Sequence, residues 1–573
     1  MTDILFITPT LENTIDQESI GTLLLASILQ GNGLNSKIFP FFRFGNPDDF
    51  ETFLNGITDA ICREQPRIVS FYTRCDSYHI MIKIAQAIKS RCNAYVVFGG
   101  PQADIVATDT LLLIPWVDYI CCGEGENTII PFFQSLLSGE PDHSIDGLVY
   151  RSEDKVICNP RPELIPNLDS LPQINYALSP IPPEEFLKDY FPVDVGRGCP
   201  FSCTYCSTNT FWGRKYRLKS PQRLVQEIKE LNRQFGITKF GFMHDMFTLN
   251  RNQVMETCRL IKSLDFPISW KCSARLDCID EELIDIMSDA GMNKIFIGIE
   301  TGSPRMQKIT NKNLKLDDVV EKIQYICNKN IKVLSSFIYG FPEESEEDLS
   351  DTISLISKLL QIKGSSCTVH LCTFLPGTRL SAQYASELSF AKAFSNITGS
   401  IGLGSCEELI QQYPVLFPHF REFQTPLRSK LEYFDIFIAS WQKMRPVYQY
   451  IRRKYDDSKL VQMYFDFVER NREILEAAQL EDVGDTITKL IADHGFIKSL
   501  EEDPLYDILL DYHKMKTMLM GAAIKKKRET GIFCFDAADI LQQTPLEEIK
   551  REKRIVSFIC NTDGKIQVLS KKL

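Results

Sequence analysis

Long apolar runs and an excess of basic residues are both absent from this chain of 573 residues. No stretch of about 18 consecutive apolar residues occurs, so we expect no membrane-spanning helix. Acidic residues outnumber basic ones by 75 to 64, which gives a net charge of −11. This balance argues against a general nucleic-acid-binding protein, because phosphate binding needs a basic surface. The first residues, MTDILFITPT, contain no basic segment followed by an apolar one, and we therefore expect no signal peptide.

Cysteine, in contrast, is plentiful, with 18 residues. Without a signal peptide this number points to a reducing compartment, where cysteines are thiols, metal ligands or buried apolar side chains and not disulfides. A hydrophobic content of 44% and a charged content of 24% are ordinary for a globular protein. The length suggests about three to four domains.

Residues 3–138 alternate between short apolar strands and helical stretches. The strand candidates are DILFIT, SKIFPFF, RIVSFY, AYVVFGG and DYICC. This alternation predicts a parallel sheet covered on both faces, that is, a doubly wound, Rossmann-like domain over residues 1–140. Its ligand crevice would lie beyond the carboxyl ends of the strands, near Thr8–Thr10, Tyr72–Asp76, Gly99–Gln102 and Gly123–Glu126.

Residues 141–190 are rich in proline, with seven between Pro141 and Pro182, and predict a linker with one hairpin in GLVYRSEDKVIC. From residue 191 the alternation restarts. Six strand–helix repeats predict a barrel or partial barrel over residues 191–384. Beyond residue 385 the strand pattern stops, and we predict a mainly α-helical region to residue 573. A β-hairpin around Asn561–Gly564 ends it.

Three cysteines, Cys199, Cys203 and Cys206, lie in the stretch CPFSCTYC directly after the first barrel strand. Thiolates placed in this way can hold a [4Fe–4S] cluster by three of its irons. No fourth cysteine or histidine lies nearby, since the nearest cysteines in the sequence are Cys158 and Cys258. The fourth iron is then free to bind a small molecule. The alternative is a structural zinc site completed by a distant ligand.

The pattern CxxxCxxC, with an aromatic residue at Tyr205, resembles the signature of the radical S-adenosylmethionine (SAM) superfamily. The resemblance covers residues 191–380 and implies a partial (β/α)6 barrel in which the open iron binds the amino and carboxylate groups of SAM. It also implies that the reduced cluster cleaves SAM to methionine and a 5′-deoxyadenosyl radical, which abstracts a hydrogen atom from the substrate. We therefore also expect an external electron donor, such as flavodoxin or ferredoxin, and a cytoplasmic location.

Further segments behind the cysteines resemble the SAM-binding segments of the family. GIETGS (Gly298–Ser303) ends the fourth strand. SFIYGFPEE resembles the fifth-strand pattern GxIxGxxE with serine in place of the first glycine, and FLPGT resembles the end of the sixth strand. HDMFTLN and SARLD end the second and third strands. The resulting candidates for contact with SAM or substrate are Tyr205, Asp245, Arg275, Glu300, Ser336, Ile338 and Gly340. For Asp245 and Arg275 the alternative is a buried pair that supports the barrel.

The segment from FGGPQAD to CCGEGEN resembles the cobalamin-binding-type domain that precedes many radical SAM barrels. The resemblance makes Gly99, Gly100, Gly123 and Glu124 candidates for contact with a planar cofactor, since glycine permits close backbone approach. The family motif DxHxxG, whose histidine binds cobalt, is absent. His79 has the wrong position and spacing, and we interpret it as an ordinary surface or helix-start residue. The domain therefore either binds cobalamin without this histidine or is an empty scaffold.

Three functions remain open. The first is a cobalamin-dependent methyltransferase acting on a peptide or another natural-product precursor. The second is a radical SAM epimerase, cyclase or rearranging enzyme without methyl transfer. In this case Cys372, which the period of two places on one face of the sixth strand with His370, returns a hydrogen atom; alternatively, Cys372 is a core cysteine. The third is a non-catalytic iron–sulfur protein. Substrate choice is expected to reside in residues 385–573.

Overall fold

The computed structural model describes residues 3–11, 19–391, 402–431, 434–443, 445–455, 457–471, 500, 502–512, 514–515, 529–536, 548–549, 551–560 and 566–572. The helical pattern predicted between residues 472 and 499, and the turn predicted at Asn561–Gly564, lie outside these ranges. Within them, no helix combines the length and the apolar character that crossing a bilayer demands.

The first domain contains a sheet with helices on both faces. Its strands are β1 (Ile4–Thr8), β2 (Ser36–Pro40), β3 (Ile68–Tyr72), β4 (Tyr95–Gly99), β5 (Tyr119–Cys121), β6 (Leu148–Ser152) and β7 (Lys155–Cys158). Its helices are α1 (Ile20–Gly31), α2 (Phe50–Glu64), α3 (Tyr78–Arg91), α4 (Pro101–Ile105), α5 (Ala107–Leu113) and α6 (Ile129–Ser138). The strand order is β2-β1-β3-β4-β5-β6-β7. The first five strands are parallel, which confirms the predicted doubly wound fold.

The hairpin predicted inside the proline-rich segment is part of this sheet. β6 pairs antiparallel with β5, and β7 pairs antiparallel with β6. Arg151 fixes the hairpin from one side, because its guanidinium donates to the carbonyl oxygens of Leu111, Ile114 and Val117. The sheet therefore continues into the segment that the proline content marks as a linker.

The expectation that the cysteines form no disulfide is wrong for one pair. Cys62, in the last turn of α2, is bonded to Cys92, the residue after α3. The two helices pack against each other, so two cysteines 30 residues apart in the sequence meet at the same end of the pair. The sequence argument rested on the compartment alone and could not anticipate this contact.

The second domain is built on β8 (Phe191–Asp194), β9 (Gly196–Arg197), β10 (Arg217–Leu218), β11 (Lys239–Met243), β12 (Ser269–Ala274), β13 (Met292–Glu300), β14 (Lys332–Tyr339) and β15 (Ser365–Leu371). Its helices are α7 (Thr208–Trp212), α8 (Pro221–Phe235), α9 (Arg251–Lys262), α10 (Glu281–Asp289), α11 (Pro304–Ile309), α12 (Val319–Asn328) and α13 (Glu346–Leu359). Six strands form one parallel sheet in the order β8-β11-β12-β13-β14-β15, with β9 and β10 paired beside it. This sequential order is that of the predicted partial (β/α)6 barrel.

Helix starts in the barrel follow the capping chemistry of the sequence. The Ser220 hydroxyl accepts a hydrogen bond from the Arg223 amide at 3.1 Å, and Pro221 occupies the first helical position of α8, as predicted. At α13, Ser345 and Asp348 form a reciprocal capping box. The helices bury one face of the sheet. Among the described residues, the side chains of the other face are more exposed, and this face forms the concave inside of the barrel.

The last part of the chain covers the free edge of the barrel. The elements described here are α14 (Arg379–Tyr384), β16 (Ser389–Phe390), α15 (Leu403–Gln412), β17 (Arg421–Glu422), α16 (Phe434–Lys443), α17 (Arg445–Lys454), α18 (Asp457–Arg470), β18 (Glu529–Phe533), β19 (Arg554–Cys560) and β20 (Ile566–Lys572). The Gln442 side chain bonds both the amide and the carbonyl of Cys367 on the edge strand β15. β19 and β20 form the predicted hairpin, and β18 adds a third strand that the sequence did not indicate.

Candidate active site

The loop with three cysteines is held by its backbone at the carboxyl ends of the barrel strands. Cys199, Cys203 and Cys206 are half-buried and unpaired with other cysteines. The Thr204 amide donates to the Thr310 carbonyl at 2.9 Å, and the Leu380 amide donates to the Thr204 carbonyl at 3.0 Å. Two segments that follow β13 and β15 thus fix the middle of the loop.

The donor set fits an iron–sulfur cluster better than a single metal ion. In the described ranges, no three histidine, cysteine or acidic side chains are grouped so that they share one ion. Zinc requires such a group, because each sulfur lies about 2.3 Å from the metal. A [4Fe–4S] cluster places each thiolate on a different iron, and Cys199, Cys203 and Cys206 supply three free thiols on one loop. Burial raises the pKa of Cys199 and Cys206, so both thiols must release a proton when they bind iron.

One further cysteine that the sequence did not single out comes near this loop. Cys278 follows β12 and interacts electrostatically with Cys199. Burial raises the pKa of Cys278 to about 11, and its thiol donates to the Asp277 carboxylate at 3.8 Å. The existing partner and the raised pKa both favour a protonated thiol over a metal ligand.

Arg275 contacts the same loop from the end of β12. Its guanidinium lies 4.0 Å from the centre of the Phe201 ring and donates to the Asp277 carboxylate and to the Lys312 carbonyl. Its Nη1 is buried and has no hydrogen-bond partner among the described residues. A buried donor without a partner is costly, so this atom is available for an anionic ligand beside Cys203.

Glu300 ends β13 with an unusual backbone conformation. Its φ of +73° lies in the left-handed region, which residues other than glycine rarely adopt and which costs free energy. The carboxylate is buried and accepts a hydrogen bond from the Lys312 ammonium at 3.0 Å. Lys312 is also buried and lowers the pKa of Cys199 electrostatically, although burial is the larger effect on that thiol. Nothing in the sequence stretch TNKNLKL marked Lys312 as a site residue.

Tyr205, Ser336 and Ile338 surround the same region. Burial raises the pKa of the Tyr205 phenol well above its usual value, and Glu300 and the thiols of Cys203 and Cys206 add to this effect. The Tyr205 ring packs edge-on against Phe341 at 5.9 Å, within an apolar cluster that includes Ile338. Ser336 is the direct neighbour of Gly298 across β13 and β14. The structure therefore brings the fourth- and fifth-strand candidates to one place.

Gly340 is held between two buried polar side chains, those of Glu344 and Arg428. Its amide donates to Glu344 Oε2 at 2.5 Å, and its carbonyl accepts from Arg428 Nη1 at 2.7 Å. Arg428 also donates to the Cys372 carbonyl and to the Glu422 carboxylate. Burial raises the pKa of Glu344 to about 8. Arg428, which the sequence did not indicate, therefore ties together the ends of β14 and β15.

Asp245 and its neighbour His244 differ in role. Asp245 is accessible from the concave face, and the surrounding protein raises its pKa although a hydrogen bond with Thr208 lowers it. Burial lowers the pKa of His244 to about 4, so its ring is neutral near pH 7. His244 Nδ1 accepts a hydrogen bond from the Met246 amide at 2.7 Å. His244 supports the loop, and Asp245 faces the barrel interior.

Cys372 lies in an apolar cluster and not on the open face. Strand β15 ends at Leu371, so the alternation that joins Cys372 to His370 in the sequence does not extend to this residue. Cys372 packs with Phe341 and Phe374, and burial raises its pKa to about 12. These surroundings are those of a core cysteine.

The glycines expected at the cofactor edge of the first domain are required by packing within the protein. Gly100 has a φ of +94°, and a Cβ there would lie 2.8 Å from the Thr73 carbonyl oxygen. A Cβ at Gly123 would lie 2.9 Å from Pro162. The carbonyl of Gly99, the last residue of β4, accepts hydrogen bonds from the amide and the hydroxyl of Thr73.

Glu124 has partners that differ from those expected of a cofactor contact. Its carboxylate is buried and accepts hydrogen bonds from Arg197, Arg217 and the Ile165 amide. These residues belong to the barrel side of the junction and to the connecting segment. Glu124 therefore joins the two domains.

The edge of the first domain that was expected to bind cobalamin meets the cysteine loop. Helix α4, which follows Gly100, packs on α7, which follows Cys206. His79 is not a surface residue: it is buried near the start of α3, with its ring 5.2 Å from that of Phe420. Among the described residues, no histidine occupies the position of the family's cobalt-binding motif.

Residues 193–356 match the Radical SAM superfamily. The chain is 32% identical, over 308 residues, to an uncharacterised methyltransferase of Pyrococcus horikoshii, covering 53% of this chain and 65% of that protein. It is 26% identical, over 326 residues, to the anaerobic magnesium-protoporphyrin IX monomethyl ester cyclase of Cereibacter sphaeroides, covering 52% of each. The matched segment thus spans about half to two thirds of these relatives.

A solved structure has a similar fold. The radical S-adenosylmethionine methyltransferase TsrM from Kitasatospora setae, determined with cobalamin and a [4Fe–4S] cluster, matches with a TM-score of 0.55 at 17% identity. The match covers 67% of this chain and 75% of TsrM. At this identity the comparison shows a likeness of fold alone.

Proposed function

Since residues 193–356 match the Radical SAM superfamily, we propose that the protein is a cobalamin-dependent radical SAM methyltransferase. The observation that carries the radical SAM part is the loop of Cys199, Cys203 and Cys206. It presents three free thiols, beside which Arg275 Nη1 has no partner among the described residues. A [4Fe–4S] cluster, when bound there, supplies the electron that cleaves SAM.

The residues around the loop are proposed to bind and orient SAM. Lys312 and Arg275 provide positive charge for its carboxylate, and Glu300 provides an acceptor for its amino group or ribose hydroxyls. Tyr205 and Ile338 offer apolar surface to the adenine. Ser336 and Gly340 bring the backbone of β14 close to the ligand, and Asp245 faces the space where SAM and substrate meet.

Methyl transfer is the proposed outcome because of the position of the first domain. Helix α4, directly after Gly99 and Gly100, packs on α7, directly after the cysteine loop, so a cobalamin held on that edge would be near the cysteine loop. A methyltransferase name among the relatives and the cobalamin in TsrM support this assignment. Since His79 is buried in α3, we propose that cobalamin is held without a histidine from the family motif.

A second candidate is a radical SAM enzyme that rearranges or cyclises its substrate without methyl transfer. The relative from Cereibacter sphaeroides, named as a cyclase, is the observation in its favour. The proposed hydrogen donor, Cys372, packs in the same apolar cluster as Tyr205 and Ile338, although it is buried. The burial of Cys372 is the observation against this candidate.

Anaerobic reconstitution with iron, sulfide, hydroxocobalamin, SAM and a reductant tests the proposal. We expect cobalamin to co-purify in about equal amount with the protein and both 5′-deoxyadenosine and S-adenosylhomocysteine to form. 5′-Deoxyadenosine alone, with no bound cobalamin, would favour the second candidate. Absence of both nucleosides, with a full cluster present, would contradict the enzymatic proposal itself.

A further inference from the structure

Three lysines lie side by side on the concave face of the barrel. Lys271 on β12, Lys294 on β13 and Lys332 on β14 are direct neighbours across the parallel strands. Lysines in one row repel each other unless an anion or water separates them. Among the described residues, none of the three forms an ion pair with a carboxylate.

The local packing holds two of these lysines within the barrel. The ammonium groups of Lys271 and Lys294 lie 5.1 and 4.7 Å from the centre of the Tyr190 ring, a cation–π arrangement. Gly241 leaves room for the Lys271 chain, since a Cβ there would lie 3.1 Å from Lys271 Cε. Tyr190 is itself fixed by a hydrogen bond from its hydroxyl to Asn293 at 2.6 Å. The positive charge is therefore part of a built surface.

An apolar band lies next to the lysine row, on the same face. Phe296 and Leu334 stand two residues after Lys294 and Lys332 and are neighbours across the strands. They are 39% and 38% exposed, and Met243, two residues after Gly241, is 47% exposed. Large apolar side chains that remain exposed inside a barrel are suited to cover a ligand.

Beyond the lysine row and the apolar band, the same face reaches the proposed SAM site. Gly298 and Ser336 follow Lys294 and Lys332 by four residues and pair with each other. At about 3.3 Å per residue, the lysine row lies roughly 13 Å below this level. The concave face thus presents, from bottom to top, positive charge, apolar surface and the SAM site.

We propose that this face binds the substrate and that the substrate carries an anionic end, a carboxylate or a phosphate, and an apolar body. The anionic end contacts Lys271, Lys294 and Lys332, and the apolar body lies against Met243, Phe296 and Leu334. The carbon to be modified then stands near Ser336, about 13 Å from the anionic end. This inference rests on the proposed function for the identity of the reacting carbon, whereas the binding surface is independent of it.

Three probes with the same naphthalene ring test the surface on the reconstituted protein: 2-naphthoate, 2-naphthyl phosphate and the neutral 2-naphthamide. Equilibrium dialysis should show that at least one anion binds roughly tenfold or more tightly than the amide, since hydrogen bonds to charged groups contribute this much. The tighter anion identifies the group recognised. If neither anion binds, or if the amide binds as tightly as both, the proposal is overturned.

A double variant, Lys271→Gln with Lys294→Gln, locates the site. We expect the affinity of the tighter anion to fall roughly tenfold or more. The matched control, Lys229→Gln with Lys358→Gln, changes the net charge equally but on exposed helix positions of the outer face. It should alter the affinity by no more than about twofold. Equal affinities in the two double variants would overturn the proposal.

Two further measurements keep the outcomes separate. If the Lys271/Lys294 variant does not fold, the salt dependence of probe binding to the wild type tests the proposal instead. Anion binding should weaken with added salt and amide binding should not, and equal salt responses would overturn the proposal. 5′-Deoxyadenosine formation by the wild-type holoenzyme is measured in the same preparation. Its absence would contradict the proposed function. The probe results would still test the binding surface independently.

Discussion

Glu124 of the first domain and Arg197 of the barrel form a buried ion pair, with 2.7 Å between Oε1 and Nη1. Arg217 adds a contact of 2.9 Å to the same carboxylate, and Arg197 also bonds Glu126. Arg197 stands two residues before Cys199. The junction between the domains therefore fixes the start of the cysteine loop relative to the edge of the first domain.

Replacing Glu124 with glutamine should destabilise the protein, because it leaves the buried Arg197 and the half-buried Arg217 without their shared carboxylate. We expect the free energy of unfolding to fall by about 3 to 5 kcal/mol, measured by urea denaturation at pH 7. Glu163→Gln, on an exposed position of the connecting segment, is the control and should change it by about 0.5 kcal/mol or less. Equal effects of the two substitutions would show that the pair contributes nothing.

The same junction should lose stability in acid. Burial raises the pKa of Glu124, but hydrogen bonds from Arg217 and Arg197 outweigh this effect and hold the pKa below its usual value. Its contribution is therefore present above the unfolded pKa of about 4.3 and is lost as the pH falls through the lower folded value. The difference in unfolding free energy between the wild type and Glu124→Gln should shrink from pH 5 towards pH 3. A constant difference would contradict this assignment.

Cys203→Ala should abolish binding of the cluster, because two thiolates do not hold it in place. Iron and acid-labile sulfide, measured after anaerobic reconstitution, should fall close to zero. Cys278→Ala is the matched control, since Cys278 lies near Cys199 and donates to Asp277. It should keep the wild-type iron content. Loss of iron in Cys278→Ala would identify a fourth protein ligand and remove the open iron.

Lys312→Met should weaken SAM binding by roughly tenfold to a hundredfold, because it removes a charged donor and leaves Glu300 unpaired in a buried position. Isothermal titration of the cluster-loaded protein with SAM measures the change. Lys308→Met, on an exposed position of α11, removes the same charge and should leave the affinity near that of the wild type. Similar affinities for both variants would exclude Lys312 from the SAM site.

Glu344 should make the protein less stable as the pH rises. Burial raises the pKa of Glu344 to about 8, so the folded state holds a proton that the unfolded state releases near pH 4.3. The stabilising effect is complete below about pH 4.3 and is lost as the pH rises through 8. Thermal melting between pH 5 and pH 9 should show a smaller decline in Glu344→Gln than in the wild type. Glu347→Gln, on an exposed position of α13 three residues after Glu344, should follow the wild type.

The regular elements could be predicted from the sequence because their signals are local. Apolar strands such as IVSFY and the cap Ser220 with Pro221 determine their own structure through neighbouring residues. The spacing of Cys199, Cys203 and Cys206 placed the cluster loop for the same reason. We propose that the first domain extends to Cys158, since β6 and β7 continue its sheet.

The remaining features depend on contacts between distant residues. Arg428 reaches Gly340, and Glu124 reaches Arg217, across spans for which the sequence contains no periodic signal. Cys62 and Cys92 meet only because α2 and α3 end side by side. The predicted alternation of Cys372 with His370 fails for a geometric reason. The period of two applies only within a strand, and β15 ends one residue before Cys372.

The central claim is that the cluster on Cys199, Cys203 and Cys206 has an iron that binds SAM. Electron–nuclear double resonance on the reduced, reconstituted protein with SAM labelled with 15N in its amino group tests it directly. We predict a hyperfine coupling between the cluster and the labelled nitrogen. A fully loaded, reduced cluster that shows no such coupling at saturating SAM would contradict the account.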